Sequence, residues 1–415
     1  MTEQGLREAL RGQVVPEARE SEERGWRVVR AAFEARQPAR TVVRPNRIAV
    51  ALIVGLLILA VALSPAGAKV ADLVSDVVHP GERNAQPALT SLPAAGRLLV
   101  TSAKGPWVVD QDGSKRLLGA YQDAAWSPHG LYVAATRGRE LTALEPTGAV
   151  HWSLSAPEPV TNPAWSPSGI RIAYLAGDTL RVVSGDGTND HVVARGVAPV
   201  QPAWRPLRGA VPAGQTVVTG PGTNVVAYVD RRGRVQIRDV DANRLLTRNP
   251  PGPAPTELAW SNDRRRLLTV ADHTVATYNA RMSYRSPATL STPRRWTIRA
   301  ASFAPGSHRV AVVETTGGSA STTRSVVLFG RTDAENFLAR QLFAGPGRFQ
   351  DLTWSPDGRW LLLGWRDADQ WLFLHPADGR VRAVSNISQQ FDPGAAGPLS
   401  FPRVAGWCCE AGPAR

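Results

Sequence analysis

Six times along the chain an apolar step runs into one aromatic residue and then into a turn. The segments are AAWSPHG ending at Gly130, PAWSPSG ending at Gly169, PAWRP ending at Pro206, LAWSNDR ending at Arg264, ASFAPGS ending at Ser307 and LTWSPDG ending at Gly358. Their aromatic residues are Trp126, Trp165, Trp204, Trp260, Phe303 and Trp354, at intervals of 39, 39, 56, 43 and 51 residues. A chain with a period of this size repeats one supersecondary unit, and each unit buries its apolar faces only against its neighbours. The second repeat shows the unit clearly. Ile170 to Leu175 is a strand, Gly177-Asp178 a turn, Leu180 to Ser184 a strand, Gly185-Asp186-Gly187 a tight turn and His191 to Ala194 a further strand. Period-two alternation bounded by Gly, Asp and Asn is a hairpin signal. Four short antiparallel strands in roughly 40–50 residues make a propeller blade, so the expected fold is an all-β propeller.

The ends of the repeat region predict how the ring closes. Before Trp126 lie RLLVTSA, GPWVVDQDG and KRLLGA, three strands of a blade that lacks its innermost one. At the far end FPRVAGWCC puts Trp407 in a repeat position, 53 residues after Trp354. The C-terminal strand is expected to complete the first blade, giving seven blades and hiding two edges open to aggregation. Insertions at 205–224 and 283–297 leave six and eight as alternative counts. In each turn Pro presets φ, Asp bonds nearby backbone and Gly takes a positive φ. The repeat residues Trp126, Pro128, Gly130, Trp165, Pro167, Gly169, Trp204, Trp260, Phe303, Trp354, Pro356, Asp357, Gly358 and Trp407 are therefore read as structural. The aromatics end inner strands and pack between blades, in preference to forming a sugar-binding ladder.

Trp354-Ser355-Pro356-Asp357-Gly358 resembles the aromatic-Ser-Pro-Asp-Gly hallmark of the TolB-type, WD-repeat-like propeller family in full. Trp126-Ser127-Pro128-His129-Gly130 and Trp165-Ser166-Pro167-Ser168-Gly169 match except at the acidic position, and the other three copies are degenerate. The resemblance covers about residues 96–410 and implies the fold. The α/β domain that precedes the propeller in TolB has no room in this chain, so TolB's role at the outer envelope does not carry over.

Ahead of the repeats, Ile48 to Leu63 carries no charged or polar side chain, and the apolar run continues to Ala68. At ~1.5 Å per residue it spans about 31 Å, enough for a hydrocarbon core of about 30 Å. Arg36, Arg40, Arg44 and Arg47 precede it, while Lys69, Asp72, Asp76 and Glu82 follow. The positive-inside rule then expects a transmembrane helix at 47–68 with a cytoplasmic N-terminus, in a bacterial cell membrane. Ala66-Gly67-Ala68 has the form of a signal-peptidase site, but the 47-residue flank is too long for an ordinary signal peptide. Residues 1–46 form a charged cytoplasmic segment with an amphipathic stretch, and Trp26, Val29 and Phe33 share one helical face, a candidate docking helix for a cytoplasmic partner. Short cytoplasmic helix, single anchor and outer domain together resemble membrane-bound anti-sigma regulators. The segment has none of that family's zinc-binding His and Cys. Residues 69–95, with Pro80, Pro87 and Pro93, read as a semi-rigid stalk, residues 96–410 as the propeller and 411–415 as a tail.

The net charge of +13 invites an anionic partner, though the arginines are scattered. The only cysteines, Cys408 and Cys409, are adjacent, and two readings stand: a vicinal disulfide locking the closing strand, or two reduced, half-buried thiols. The seven histidines at 79, 129, 151, 191, 273, 308 and 375 are isolated, and no nucleophile elbow, zincin, Walker or Cys-x-x-Cys motif occurs. Asp110-Gln111-Asp112-Gly113 and Asp186-Gly187 look like fragments of calcium loops but fit hairpin turns. Ala, Pro, Leu and Thr stand just before the repeat aromatics, which argues against a charged central pocket. Neither cofactor, metal nor catalysis is expected. The expected function is a tethered extracytoplasmic interaction module, scaffold or sensor, binding an envelope protein or anionic polymer and no nucleic acid. The alternatives are a small-ligand- or metal-binding propeller of lactonase or dehydrogenase type, and an anti-sigma-like transmembrane regulator.

Overall fold

The protein is described from a computed structural model covering residues 88–207, 220–248, 253–279, 288–319, 322–333, 336–393 and 401–409. The apolar run at 47–68, the amphipathic face of Trp26, Val29 and Phe33, and most of the 69–95 segment lie outside the described residues. Among the described residues no helix is long and apolar enough to cross a membrane.

Seven four-stranded antiparallel sheets follow one another in the chain. Blade one takes β1 (Arg97–Ser102), β2 (Gly105–Val109) and β3 (Lys115–Leu117). Blade two is β4 (Asp123–Trp126), β5 (Val133–Arg137), β6 (Glu140–Leu144) and β7 (Val150–Ser155). Blade three is β8 (Val160–Trp165), β9 (Arg171–Ala176), β10 (Thr179–Ser184) and β11 (His191–Arg195). Blade four is β12 (Ala203–Trp204), β13 (Val225–Val229), β14 (Val235–Asp239) and β15 (Arg244–Arg248). Blade five is β16 (Glu257–Trp260), β17 (Arg266–Ala271), β18 (Thr274–Asn279) and β19 (Ala288–Ser291). Blade six is β20 (Trp296–Phe303), β21 (Arg309–Thr316), β22 (Arg324–Asp333) and β23 (Asn336–Pro346). Blade seven is β24 (Phe349–Trp354), β25 (Leu361–Trp365), β26 (Gln370–Leu374) and β27 (Val381–Ser385), followed by the short helix α1 (Ile387–Phe391). The last strand, β28 (Arg403–Cys408), returns to blade one and pairs with β1, Leu98 opposite Trp407 and Arg97 opposite Cys408. The seven-bladed all-β propeller is thus present, closed by the C-terminal strand.

Burial follows position within the blade. The second strands are apolar at successive positions because neighbouring blades cover both their faces. Val225–Val229 is buried throughout, as is Leu361–Trp365. The outermost strand β7 alternates, with Val150, His151, Ser153 and Ser155 exposed. Between blades sit the repeat aromatics. Trp165 packs with Ala134 and Leu141 of blade two and Ile172 and Tyr174 of blade three, and Trp204 sits likewise between blades three and four. Trp354 meets Phe329 of blade six, ring centroids 5.5 Å apart. Leu89 and Leu92, in the segment read as a stalk, are buried against Leu98 and Phe391, because blade one and α1 leave an apolar face there for them to cover.

The turn chemistry is visible in atoms. Ser355 is fully buried, its Oγ accepts the Trp360 N–H at 2.9 Å, and the Gly358 N–H donates to the Ser355 carbonyl at 2.8 Å. Asp357 accepts the Arg359 N–H at 3.0 Å and also the Ser355 hydroxyl, while Gly358 holds φ +68°. The same serine bond recurs at Ser127, Ser166 and Ser261. Ser355→Ala leaves the Trp360 N–H without its acceptor and is expected to lower unfolding free energy by about 1–3 kcal/mol, read by urea denaturation.

Candidate functional site

Each inner strand touches the next around the ring, from β28 through β4, β8, β12, β16, β20 and β24 back to β28. All begin at one end of the central channel and end in their aromatic at the other, so equal distances from the aromatic mark one level of the channel. Alternate side chains point to opposite faces. One position before the aromatic stand Ala125, Ala164, Ala203, Ala259, Ser302, Thr353 and Gly406, all partly accessible and all small. They keep the channel open.

Three positions before the aromatic stand Asp123, Asn162, Gln201, Glu257, Ala300, Asp351 and Val404. Five of these seven are polar and three are carboxylates, so the channel holds charge, contrary to what the residues directly before the aromatics suggest. Those residues report on the level nearer the Trp end; the carboxylates sit two residues, roughly 7 Å, further along each strand. Each carboxylate accepts a backbone N–H of the following inner strand: Asp123 from Asn162 at 3.0 Å, Glu257 from Ala301 at 3.4 Å and Asp351 from Val404 at 3.1 Å. They therefore link neighbouring blades by satisfying inner-strand donors that have no further strand to bond.

Burial drives the Glu257 carboxyl up to about 7, against the Ala301 bond; Asp351 pushes it the same way and Arg403 opposes. Burial also raises Asp123 and Asp351. The Arg403 guanidinium, 3.8 Å from Asp351, acts on all three carboxylates, although they come from blades two, five and seven. All four groups therefore converge on the axis. A carboxyl that titrates higher when folded holds more protons than in the unfolded chain, so its contribution to stability falls as pH rises from about 4.5 to about 7. Glu257→Gln is expected to remove that loss. Against the parent, the variant should gain stability between pH 5 and pH 8, by up to about 3 kcal/mol, in urea unfolding at the two pH values.

Towards the aromatic end lies a cavity of 650 Å³ lined by Trp126, Trp165, Trp204 and Trp407, with Pro128, Pro167, Pro202 and Pro356 beside them, and it reaches Gln201 at the level of the carboxylates. Trp165, Trp204 and Trp407 are more than nine-tenths buried, so most of each ring serves the core and only an edge faces the cavity. The Trp204 indole N–H donates to the Ala164 carbonyl at 2.9 Å and that of Trp260 to Ala203 at 3.1 Å, each reaching back to the preceding inner strand. Cys408 and Cys409 lie on the cavity wall joined as a vicinal disulfide. The bridge links the last residue of β28 to the residue after it and does not cross to β1, so it is no lock on the ring. Five register pairs between β1 and β28 make the closure.

The calcium-like fragments are turns. The Ser114 N–H donates to Asp112 and the Thr188 N–H to Asp186, both at 3.0 Å. Among the described residues no three His, Cys, Asp or Glu side chains are grouped to hold a metal ion.

No family model matches the sequence, and no curated protein matches it. Solved structures similar to the chain include a β-propeller domain. The Cps50 (Swd1) β-propeller domain of Myceliophteria thermophila is 12% identical over 64% of this chain and 86% of that one, with a TM-score of 0.47. A putative 6-phosphogluconolactonase from Bacteroides uniformis is 14% identical over 70% of this chain and 95% of that one, also at 0.47. Hydrazine synthase of Kuenenia stuttgartiensis is 13% identical over 61% of this chain and 76% of that one, at 0.45. At such identities the likeness is one of fold alone.

Proposed function

We propose that this chain is a membrane-tethered binding module, a propeller held outside a bacterial membrane that engages an envelope protein or anionic wall polymer by binding and not by catalysis. The observation that carries the reading is the 650 Å³ cavity of tryptophan and proline at the end of a closed ring. Such a mouth is preformed. Its walls are core side chains on inner strands, so a ligand segment that enters orders almost nothing in the protein and loses little affinity to entropy. Exposed arginines on several blades, among them Arg116, Arg139, Arg195, Arg232 and Arg359, favour an anionic partner for the propeller surface. The apolar run from Ile48 to Ala68 and its arginine flank supply the tether, and the face of Trp26, Val29 and Phe33 offers a cytoplasmic contact. The Trp-Ser-Pro-Asp-Gly turns support placing the chain among TolB-type propellers. A small-ligand channel is the second reading, favoured by the ring of Asp123, Glu257 and Asp351.

Ala405 is exposed and lines the cavity, which makes it the position for a photo-crosslinking residue in intact cells. The expected product is a discrete macromolecular adduct from position 405 that is absent when the probe stands at exposed Leu338 of blade six. Equal adducts from both positions, or none from 405, would remove the mouth as the binding surface.

A further inference from the structure

The vicinal disulfide has no mechanical role in the ring. A bridge stabilises by closing a loop of chain, and the loop between adjacent residues is too short to constrain the unfolded state. It stands instead among groups suited to sulfur chemistry. Both residues line the cavity, and both are partly accessible. Arg97 pairs with Cys408 across the β1–β28 ladder, lies over the Trp126 ring at 5.1 Å and donates to the Gly130 carbonyl at 2.6 Å. These contacts fix its guanidinium beside the sulfurs. The position a Cβ would take on Gly130 is 2.9 Å from Arg97 Nη2, 3.5 Å from Cys408 Sγ and 3.6 Å from Cys409 Sγ. Gly130 holds φ +64°, which favours glycine, and a side chain there would have to push the Arg97 tip aside.

The surroundings also suit the reduced pair. Cys408 Sγ lies 3.6 Å from the Ser127 carbonyl oxygen and Cys409 Sγ 2.9 Å from that of Pro128. Once reduced, each sulfur has a carbonyl to receive its S–H, which favours the neutral thiol, so the Arg97 guanidinium has to outweigh that bond at Cys408. Cys409 itself holds φ +38°, a conformation that costs a non-glycine residue free energy.

We propose that Cys408 and Cys409, with Arg97, form a thiol–disulfide exchange site whose partner is a small dithiol entering the tryptophan-lined cavity. The first thiolate of the partner attacks Cys409 Sγ. A new S–S bond forms to it, the Cys408–Cys409 bond breaks, and the electron pair leaves on Cys408 Sγ beside the Arg97 guanidinium, which stabilises that thiolate. The partner's second thiol, as thiolate, then attacks its own sulfur in the mixed disulfide. Cys409 departs as a thiolate, the partner is left as a cyclic disulfide, and the two protons it has lost end on Cys408 and Cys409. The partner is oxidised by two electrons and the cysteine pair reduced by two. In the reverse direction the site reduces a small disulfide.

The full-length chain is titrated with reduced and oxidised dithiothreitol under native conditions, trapped with iodoacetamide, and read by intact mass. Both cysteines are expected to alkylate after reduction with the circular dichroism unchanged. Arg97→Gln should slow reduction several-fold, while Arg348→Gln, at a surface pair with Asp367, should leave the rate alone. The alkylation rate of the reduced wild-type chain, followed against pH, should show a thiol titrating below the free-cysteine value of about 8.5. Cysteines that alkylate only after unfolding, an unchanged rate in folded Arg97→Gln, or a thiol titrating at or above that value would each overturn the site. If Arg97→Gln does not fold, the wild-type pH profile alone decides. None of these readouts depends on what the cavity binds in the cell.

Discussion

The backbone ladder between β1 and β28 is the contact on which the rest of the ring depends. Each other blade is a consecutive meander whose strands pair with neighbours in sequence. Blade one alone joins residues about three hundred positions apart. Without that ladder two inner edges would stand open, and the stack of blades would have no reason to bend into a closed ring. Side chains follow the ladder. Trp407 enters the core of blade seven beside Leu362 and Phe373 because its strand is already held by Leu98 and Leu99. Arg403, at the other end of the same strand, reaches the axis only because the strand is inner.

The ring and its closure were legible in sequence because a repeat is a statement about every blade at once. The aromatic at the end of each inner strand, the turn after it and the isolated Trp407 are local signals with one geometric meaning. Hairpins and inner strands then follow from period-two patterning, which insertions in blades four and five do not disturb. The channel chemistry was legible too, but at a different offset. Directly before the aromatic stand small side chains whose role is to leave space. The carboxylates stand two residues earlier on the same face of the strand. At Asn162 and Asp351 the chain also takes a positive φ and the strand is bulged, which breaks the alternation that a reader of sequence relies on.

Some of the site lay beyond any single-sequence reading. That Asp123, Glu257 and Asp351 act on one guanidinium depends on the curvature of the ring, since 94 residues separate Glu257 from Asp351. The convergence of Arg97 with Cys408 and Cys409 around Gly130 needs three segments, β1, the first repeat turn and β28, and only ring closure assembles them. An adjacent cysteine pair read alone suggests a clasp. Placed at the end of one strand it clasps nothing, and its neighbours become the informative feature.

The two ends of the channel answer different physical demands with the same strands. At the carboxylate end the inner strands present backbone N–H groups to the axis, and acidic side chains satisfy them at the cost of protonation near neutrality for Glu257. At the aromatic end the blades must fill the wedge-shaped gap between them, so large rings pack outward and leave a concave mouth edged by tryptophan and proline. A carboxylate-bearing end and a tryptophan-edged end follow from packing seven blades around one axis. The stability cost of holding a carboxyl near neutral pH is carried by the whole ring, because each carboxylate bonds a strand of the next blade. Loss of one such bond therefore weakens an interface between blades and leaves each blade's own ladder intact.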